Sequence, residues 1–147
     1  MKIALVCSQG GHLTEMLLLM KAFDKNDIFF ITYKNPSTTQ LKYQKYPIEN
    51  IDTNILKMTK AFFHIFKILR KEKPDLVVST GAEIAIPSII LAKILRIKTI
   101  YIESWCRVKT RSGAGRILYY FSDLFLVQWP ELIKIYGKKA IYKGAVI

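Results

Sequence analysis

The sequence predicts an α/β fold in which a Rossmann-like parallel sheet carries helices on both faces. Two observations lead to this fold class. Short apolar segments alternate along the chain with longer segments whose apolar residues recur at helical spacing. The first short segment, residues 3–6, is apolar at every position, which is typical of a strand buried on both faces of a parallel sheet. Parallel strands are joined by right-handed crossovers, and these crossovers supply the covering helices.

The individual elements follow from apolar patterning and from the positions of proline and glycine. Strands are predicted at residues 3–6, 28–32, 48–51, 75–79, 99–102 and 124–127 and around Ile141, and helices at residues 12–22, 56–70, 84–95 and 117–122. Pro74 ends the second helix, Pro87 fits the first turn of the third, and Asn35-Pro36-Ser37 is a turn. Residues 1–147 are expected to form a single domain, because this length suits one core.

The composition points to a globular protein with an anionic partner. Hydrophobic residues make up 51% of the chain, which is too many for a disordered segment. Lys and Arg number 23 against 11 Asp and Glu, so the formal net charge is +12. This excess favours nucleic acid, acidic lipid headgroups or phosphorylated substrates as partners.

Cysteine use and the first residues predict a cytoplasmic protein. Cys7 and Cys106 lie far apart and outside any C-x-x-C pattern, which is typical of buried thiols in a reducing compartment. The apolar start is too short for a signal peptide, and no run reaches the roughly 18 apolar residues that a spanning helix needs. Contact with a membrane surface stays open.

The glycine-rich turn after the first strand is the most informative motif. Ser8, Gly10, Gly11 and His12 stand between a buried strand and a helix. Backbone N–H groups at a helix start are unpaired and lie at the positive end of the helix dipole, and glycine lets a ligand approach them. This arrangement favours a phosphate or pyrophosphate, with His12 as a proton-transfer group or phosphate donor. The alternatives are a turn that needs glycine only for its geometry and a His12 that caps the helix or is simply exposed. Glu15, one turn later, is placed to hold the His12 ring or to face the dipole.

Two further turns are expected at the same edge of the sheet, because ligands of such sheets bind beyond the carboxyl ends of the strands. The turn that contains Gly81 and the segment that begins Glu103-Ser104 each follow a predicted strand. Glu103 fits a hydroxyl acceptor and base, or a helix cap. Arg107 and Arg116 flank a glycine-containing segment and suit phosphate geometry, although a solvated basic loop explains them equally well.

The predicted helix at residues 56–70 carries a basic face. Phe63 stands beside a basic set whose members are spaced by three and four residues: Lys57, Lys60, His64, Lys67 and Lys71. An ordinary surface helix explains this pattern, and so does a helix that lies in a membrane interface with its cations on acidic lipids. Lys60, Phe63 and Lys67 are the residues expected to contact the membrane.

The order of the motifs resembles that of a known family. The motifs are SQGGHLTEML, PDLVVSTGA, YIESWCRV, GRILYYFSD, VQWPEL and YKG, and they extend over nearly the whole chain. This set is similar to the Alg14/PssD-type oligosaccharide biosynthesis family, whose members are N-terminal halves of split GT-B glycosyltransferases and resemble the N-terminal domain of MurG. The resemblance therefore implies a GT-B N-terminal-type domain.

The resemblance also implies a division of labour between two chains. This chain would bind a polyprenyl-pyrophosphate-linked sugar acceptor at the inner face of the cell membrane. It would recruit a separate subunit that binds the UDP-sugar donor, and the heterodimer would be the active hexosyltransferase. Because eukaryotic relatives carry an N-terminal anchor and this sequence shows none, the expected form is the one used for capsule, exopolysaccharide or glycoprotein glycan assembly. No cofactor or metal is implied.

In the implied reaction an acceptor hydroxyl attacks the anomeric carbon of the donor sugar and UDP leaves. The pyrophosphate is expected at Gly10 and Gly11, with Glu103 preferred as the base and His12 as the orienting residue. The alternatives are a stand-alone nucleotide-sugar enzyme, a nucleic-acid-binding module and a structural recruiter without catalytic residues. The segment after the second strand offers no acidic residue for a ribose, and RNA-binding aromatic signatures are missing, which disfavours the first two.

Overall fold

A computed structural model describes residues 1–146 and arranges its strands in one seven-stranded sheet. The strands are β1 (Lys2–Cys7), β2 (Asp27–Tyr33), β3 (Gln44–Ile48), β4 (Leu76–Gly81), β5 (Lys98–Ile102), β6 (Leu124–Val127) and β7 (Ala140–Tyr142). Neighbouring strands are parallel throughout, in the order β3-β2-β1-β4-β5-β6-β7. The predicted Rossmann-like parallel sheet is confirmed.

Helices connect the strands and cover both faces of the sheet. They are α1 (Gly11–Leu18), α2 (Pro36–Thr39), α3 (Ile55–Glu72), α4 (Ala85–Ile94), α5 (Gly113–Phe121) and α6 (Glu131–Tyr136), with a 3₁₀ turn at Met20–Phe23. Residues of α3, α4, α5 and α6 share one apolar cluster, whereas α1 contributes to a second cluster. None of the helices within residues 1–146 is long and apolar enough to cross a membrane.

The strand β1 shows why the central strands are apolar at every position. Ala4 and Val6 belong to the cluster on the α3 side, whereas Ile3 and Leu5 belong to the cluster on the α1 side. Successive side chains of a strand point to opposite faces, so a strand between two layers of helices needs apolar residues on both. All four side chains are buried.

Several element boundaries differ from the predicted ones. The predicted helix at residues 12–22 is divided into α1 and the 3₁₀ turn. The third strand lies at Gln44–Ile48, earlier than expected, because it is the edge strand, where polar residues and Pro47 are tolerated. A short helix, α2, occupies the predicted turn at Pro36, and α6 was not expected at all.

The helix α5 starts four residues before its predicted position. Ser112 precedes the helix, and its hydroxyl accepts a hydrogen bond from the Gly115 N–H at 2.8 Å. This side-chain cap satisfies one of the free N–H groups of the first turn, which offsets the low helix propensity of Gly113 and Gly115.

The order of the strands creates a crevice between β1 and β4. The chain builds β2 and β3 on one side of β1 and then returns to place β4 and β5 on the other side. The loops that leave β1 and β4 therefore diverge above the carboxyl ends of these strands. Open α/β sheets bind ligands at such a point.

Candidate functional site

A cavity of about 470 Å³ lies above this crevice. Residues from all three predicted turns line it: Ser8, Gly11 and His12 after β1, Ala82 and Glu83 after β4, and Ser104, Cys106 and Arg107 after β5. The start of α5 contributes Ser112, Gly113 and Ala114. Five predicted site residues, Ser8, Gly11, His12, Ser104 and Arg107, thus lie around one space.

The start of α1 leaves backbone donors free toward this cavity. Gly10 precedes the helix with φ 75°, a left-handed conformation that glycine adopts without strain, and no side chain caps the helix. The first helical hydrogen bond runs from the Thr14 N–H to the Gly10 carbonyl at 3.0 Å, so the N–H groups before Thr14 have no helical acceptor. A Cβ atom built on Gly11 meets no atom within 4 Å, which means that open space adjoins this backbone.

The imidazole of His12 is oriented by β4. Its Nδ1 lies 2.8 Å from the carbonyl oxygen of Thr80, and the Thr80 hydroxyl donates to the His12 carbonyl at 2.7 Å. Because a carbonyl only accepts, Nδ1 must carry the proton, and a neutral ring then has its lone pair on Nε2. The half-buried ring therefore presents an acceptor, and after protonation a donor, at Nε2.

Gly81 makes room for this ring and does not itself line the cavity. Its φ is 123°, and an added Cβ would lie 2.8 Å from Cε1 and 2.9 Å from Nδ1 of His12. Any larger residue at this position would displace the imidazole.

Glu103, the preferred base of the sequence analysis, is enclosed. Its exposed fraction is 0%, and it is absent from the cavity lining. One carboxylate oxygen accepts from the Ser104 N–H at 2.9 Å, and the other accepts from the Ser112 hydroxyl at 3.0 Å and from the Tyr136 hydroxyl. The geometry therefore does not support Glu103 as the group that takes a proton from a substrate.

The tyrosine beside Glu103 stays protonated and donates to it. Burial raises the pKa of Tyr136 above its ordinary value, and the hydrogen bond to the negative Glu103 carboxylate raises it further. Burial, followed by the charge of Glu103, likewise raises the pKa of Tyr101 well above the usual range. These hydroxyls are thus donors in a fixed network.

Glu15 does not hold the His12 ring, as one of the sequence alternatives had it. Its side chain is 3% exposed and accepts hydrogen bonds from the Ser104 hydroxyl at 3.1 Å and from Gln128 Nε2 at 2.7 Å. Glu15 therefore connects α1 to the segments that follow β5 and β6.

The cationic side chains near the cavity differ in how free they are. Arg107 is exposed, and its guanidinium makes one long contact of 3.5 Å with the Thr110 hydroxyl. Arg111 donates to the carbonyl of Ile135 and lies over the Tyr136 ring, so its charge is already engaged. Arg116 is exposed on α5 but does not line the cavity.

The wall also carries the exposed carboxylate of Glu83. Within residues 1–146, no three His, Cys, Asp or Glu side chains form a group that could hold a metal ion. The positive charge at the cavity wall comes from Arg107 and the start of α1, and it is set against the carboxylates of Glu83 and Glu15.

The predicted membrane-contact residues form a separate surface on α3. Lys60, Phe63 and Lys67 are exposed, whereas Ile65 on the opposite side of the helix is completely buried. Phe63 is 67% exposed, and Leu56, which lies about two helical turns earlier on the same face, is 75% exposed. This exposed face of α3 alternates cations with large apolar side chains.

Sequence reasoning missed three residues in the C-terminal part of the chain. Ser112 lines the cavity, and Gln128 and Tyr136 contact Glu103 behind it. Ser112 carries a signal, because serine before a helix start is a common cap. Gln128 and Tyr136 carry none, since their contacts with Glu103 join residues 25 and 33 positions apart.

The chain matches known proteins along most of its length. A family model described as "Oligosaccharide biosynthesis protein Alg14 like" matches residues 48–146. The chain is 29% identical over 181 residues to the human UDP-N-acetylglucosamine transferase subunit ALG14, which covers 100% of this chain and 83% of that protein. It is 30% identical over 167 residues to the Schizosaccharomyces pombe subunit of the same name, with 93% and 79% covered.

Among solved structures, MurG of Acinetobacter baumannii has a similar fold, with a TM-score of 0.81. The sequence identity is 17%, and the match covers 99% of this chain and 45% of that chain. The matched region is thus less than half of the solved protein, and the similarity shows a shared fold only. The predicted MurG-like fold is confirmed.

Proposed function

This chain belongs to the Alg14-like family of oligosaccharide biosynthesis proteins, and from that premise we propose that it is the acceptor-binding subunit of a two-component UDP-sugar glycosyltransferase. It binds a sugar acceptor linked to polyprenyl pyrophosphate and recruits the subunit that holds the donor, for polysaccharide or glycan assembly. Two of its relatives are named as subunits of UDP-N-acetylglucosamine transferase, which supports a subunit role.

One observation carries the acceptor site: an uncapped helix start, His12 and Arg107 line the same cavity. Free backbone N–H groups at the start of α1 suit a diphosphate, since they are fixed donors at the positive end of a helix dipole. Arg107 adds a mobile cation that can bond two phosphate oxygens. The start of α5 faces the same space through Gly113 and Ala114.

In this proposal His12 is the general base, which reverses the preference for Glu103 that the sequence suggested. The acceptor hydroxyl donates to Nε2 of the neutral ring and its oxygen attacks the anomeric carbon of the donor sugar. A new carbon–oxygen bond forms, the bond from that carbon to UDP breaks, and the proton remains on Nε2. The Thr80 carbonyl, 2.8 Å from Nδ1, stabilises the resulting imidazolium.

The exposed face of α3 supports a position at the membrane. Lys60 and Lys67 present cations beside an aromatic side chain, Phe63, that is 67% exposed. A helix of this kind lies in a membrane interface, with its cations on acidic headgroups and its apolar side chains among the acyl chains. We propose that α3 holds the protein on the inner face of the membrane, where a lipid-linked acceptor would be located.

The function is tested by reconstituting transfer with a co-expressed donor-binding subunit and a lipid-linked acceptor. Two variants separate the roles of the two ring nitrogens. His12→Asn keeps a donor near Nδ1 for the Thr80 carbonyl but removes Nε2, and His12→Gln places a non-basic amide near Nε2. Both variants are expected to assemble with the partner and to lose about 10²- to 10⁴-fold in kcat, which is the usual effect of removing a general base.

Other results would contradict specific parts of the proposal. Near-normal turnover by both variants would remove His12 from the chemistry. Full-speed turnover of a soluble substrate by the isolated chain would contradict the two-component function. Retention of transfer by Glu103 variants that still fold would agree with the enclosed position of that carboxylate.

A further inference from the structure

We propose that Glu15 and Glu103 are positioning residues, two buried carboxylates that clamp the ends of segment 104–112 over the cavity. The clamp itself follows from hydrogen bonds, and its consequence for transfer rests on the proposed function. Segment 104–112 carries Arg107, the cation that faces the cavity.

Glu15 holds the first end of the segment. Its two oxygens both lie 3.3 Å from the Trp105 N–H, and one of them also accepts from the Ser104 hydroxyl at 3.1 Å. Gln128 approaches the second oxygen at 2.7 Å and also donates to the Glu103 carbonyl at 3.0 Å. The segment is thus fixed to α1 where it leaves β5.

Glu103 holds both ends. Its first oxygen accepts from the Ser104 N–H at 2.9 Å. Its second oxygen accepts from the Ser112 N–H at 3.3 Å and from the Ser112 hydroxyl at 3.0 Å. Since Ser112 also caps α5, Glu103 fixes the place where the first turn of α5 meets the cavity.

These contacts fit a carboxyl group and not an amide. Each oxygen of Glu15 and of Glu103 faces a backbone N–H, which can donate but cannot accept. An amide in either orientation would therefore set its NH₂ group against a backbone N–H. Neither carboxyl group has a salt-bridge partner among residues 1–146, so the burial of both groups depends on the neutral donors around them.

The clamp matters because Arg107 is not held by its own side chain. Its guanidinium has one contact at 3.5 Å, whereas its backbone N–H donates to the Ser104 carbonyl at 2.9 Å. The position of Arg107 is therefore set by the backbone at Ser104, which both carboxylates hold. Glu103 does not line the cavity and acts on the site only through this backbone. Glu15 borders the cavity but is 3% exposed, and all the hydrogen bonds of its carboxylate go to Ser104, Trp105 and Gln128, so it too acts through this backbone.

Amide hydrogen exchange of the full chain tests the clamp without any substrate. Glu15→Gln is expected to speed exchange at Trp105, and Glu103→Gln at Ser112, by about tenfold or more, while amides of the central strand β4 keep their protection. Glu83→Gln is the matched control, because Glu83 is an exposed carboxylate on the wall of the same cavity. It should leave segment 104–112 unchanged.

Transfer by the reconstituted complex tests the positioning role. Glu15→Gln is expected to raise the acceptor KM by about tenfold and to change kcat much less, as is Arg107→Ala, because both remove ground-state binding. In the double variant the two losses should not add, since Glu15 acts through Arg107. Additive losses, or a loss confined to kcat, would overturn the positioning role.

If a Gln variant does not fold, a milder substitution still tests the clamp by hydrogen exchange. Ser104→Ala removes one hydroxyl that donates to Glu15 and is expected to speed exchange only near Trp105. Amide exchange rates at Trp105 and Ser112 that stay unchanged in every folded variant would contradict the proposed clamp. If the wild-type complex shows no transfer, the proposed function fails, and the exchange result still stands by itself.

Discussion

We propose two regions of this protein as binding sites for negatively charged groups, and they are built in opposite ways. The cavity above β1 and β4 has few formal charges and relies on backbone N–H groups, glycines and a buried hydrogen-bond network. The exposed face of α3 relies on lysine side chains that reach into solvent, with large apolar residues between them.

The difference shows what each region can recognise. Fixed backbone donors select a small anion by geometry, and a single added methyl group disturbs them. Lysines on flexible stems sum their attraction to a charged surface, and salt screens that attraction over about 10 Å at 0.1 M ionic strength. The cavity should therefore be sensitive to shape, and the α3 face to charge and salt.

The strongest test of the cavity as a rigid frame is Gly115→Ala. A Cβ at Gly115 would overlap the Glu103 carboxylate and the Tyr136 hydroxyl, whereas a Cβ at Gly113 meets no atom within 4 Å. Gly115→Ala is expected to lower the free energy of unfolding by about 1–3 kcal/mol, the usual cost of overpacking. Gly113→Ala, two residues earlier, should leave it unchanged or raise it by up to about 1 kcal/mol. Urea unfolding of both variants measures the difference. Equal free energies of unfolding would mean that the packing around Glu103 accommodates the added methyl group.

A smaller effect is expected from Gly11→Ala at the uncapped start of α1. The added methyl group occupies the open space in which a diphosphate would approach the backbone, so affinity for pyrophosphate should fall about tenfold, or about 1.4 kcal/mol. Protection of the Cys106 thiol from alkylation by added pyrophosphate measures this affinity, because Cys106 lines the cavity. The prediction that both thiols are buried was wrong for Cys106, which is exposed on the segment after β5, and right for Cys7. Burial raises the pKa of the Cys7 thiol to about 12, so this second cysteine stays unreactive.

Thermal unfolding provides the control for this substitution. Replacing glycine by alanine at an unstrained helix position does not lower Tm, since it reduces the freedom of the unfolded chain. Pyrophosphate protection equal to that of the wild type would mean that the anion does not bind at the start of α1.

The smallest effect is expected on the α3 face, where each lysine contributes separately. Lys67→Gln should weaken binding to vesicles of phosphatidylserine and phosphatidylcholine about fivefold, because one lysine near an anionic surface contributes about 1 kcal/mol. Lys21→Gln is the matched control, since Lys21 is exposed on the 3₁₀ turn that packs on the opposite face of the sheet. Cosedimentation measures both variants, and 1 M salt should remove the difference. An equal loss for Lys21→Gln would indicate general charge attraction instead of an oriented helix.

Much of the fold was predictable because its signals are local. The uninterrupted apolar run of β1 predicted a strand covered on both faces, and the lysine spacing of α3 predicted which side of that helix is exposed. The turn at Gly10 and Gly11 was placed at the carboxyl end of β1 for the same reason. The predicted boundaries were wrong where other contacts outweighed the helix propensity of a residue. The helix α5 begins among glycines because Ser112 caps it and because Gly115 lies close to Glu103.

The sequence by itself determined which segments form the parallel sheet, which turns end its central strands and which helix face is basic, since apolar periodicity and glycine act over a few neighbouring residues. Only the tertiary structure decided what the polar side chains at those turns do. His12 is oriented by Thr80, 68 positions away, and Glu103 is enclosed by Tyr136, 33 positions away. Whether a carboxylate or an imidazole is free to react depends on such distant partners, because burial and hydrogen bonding are properties of the folded neighbourhood.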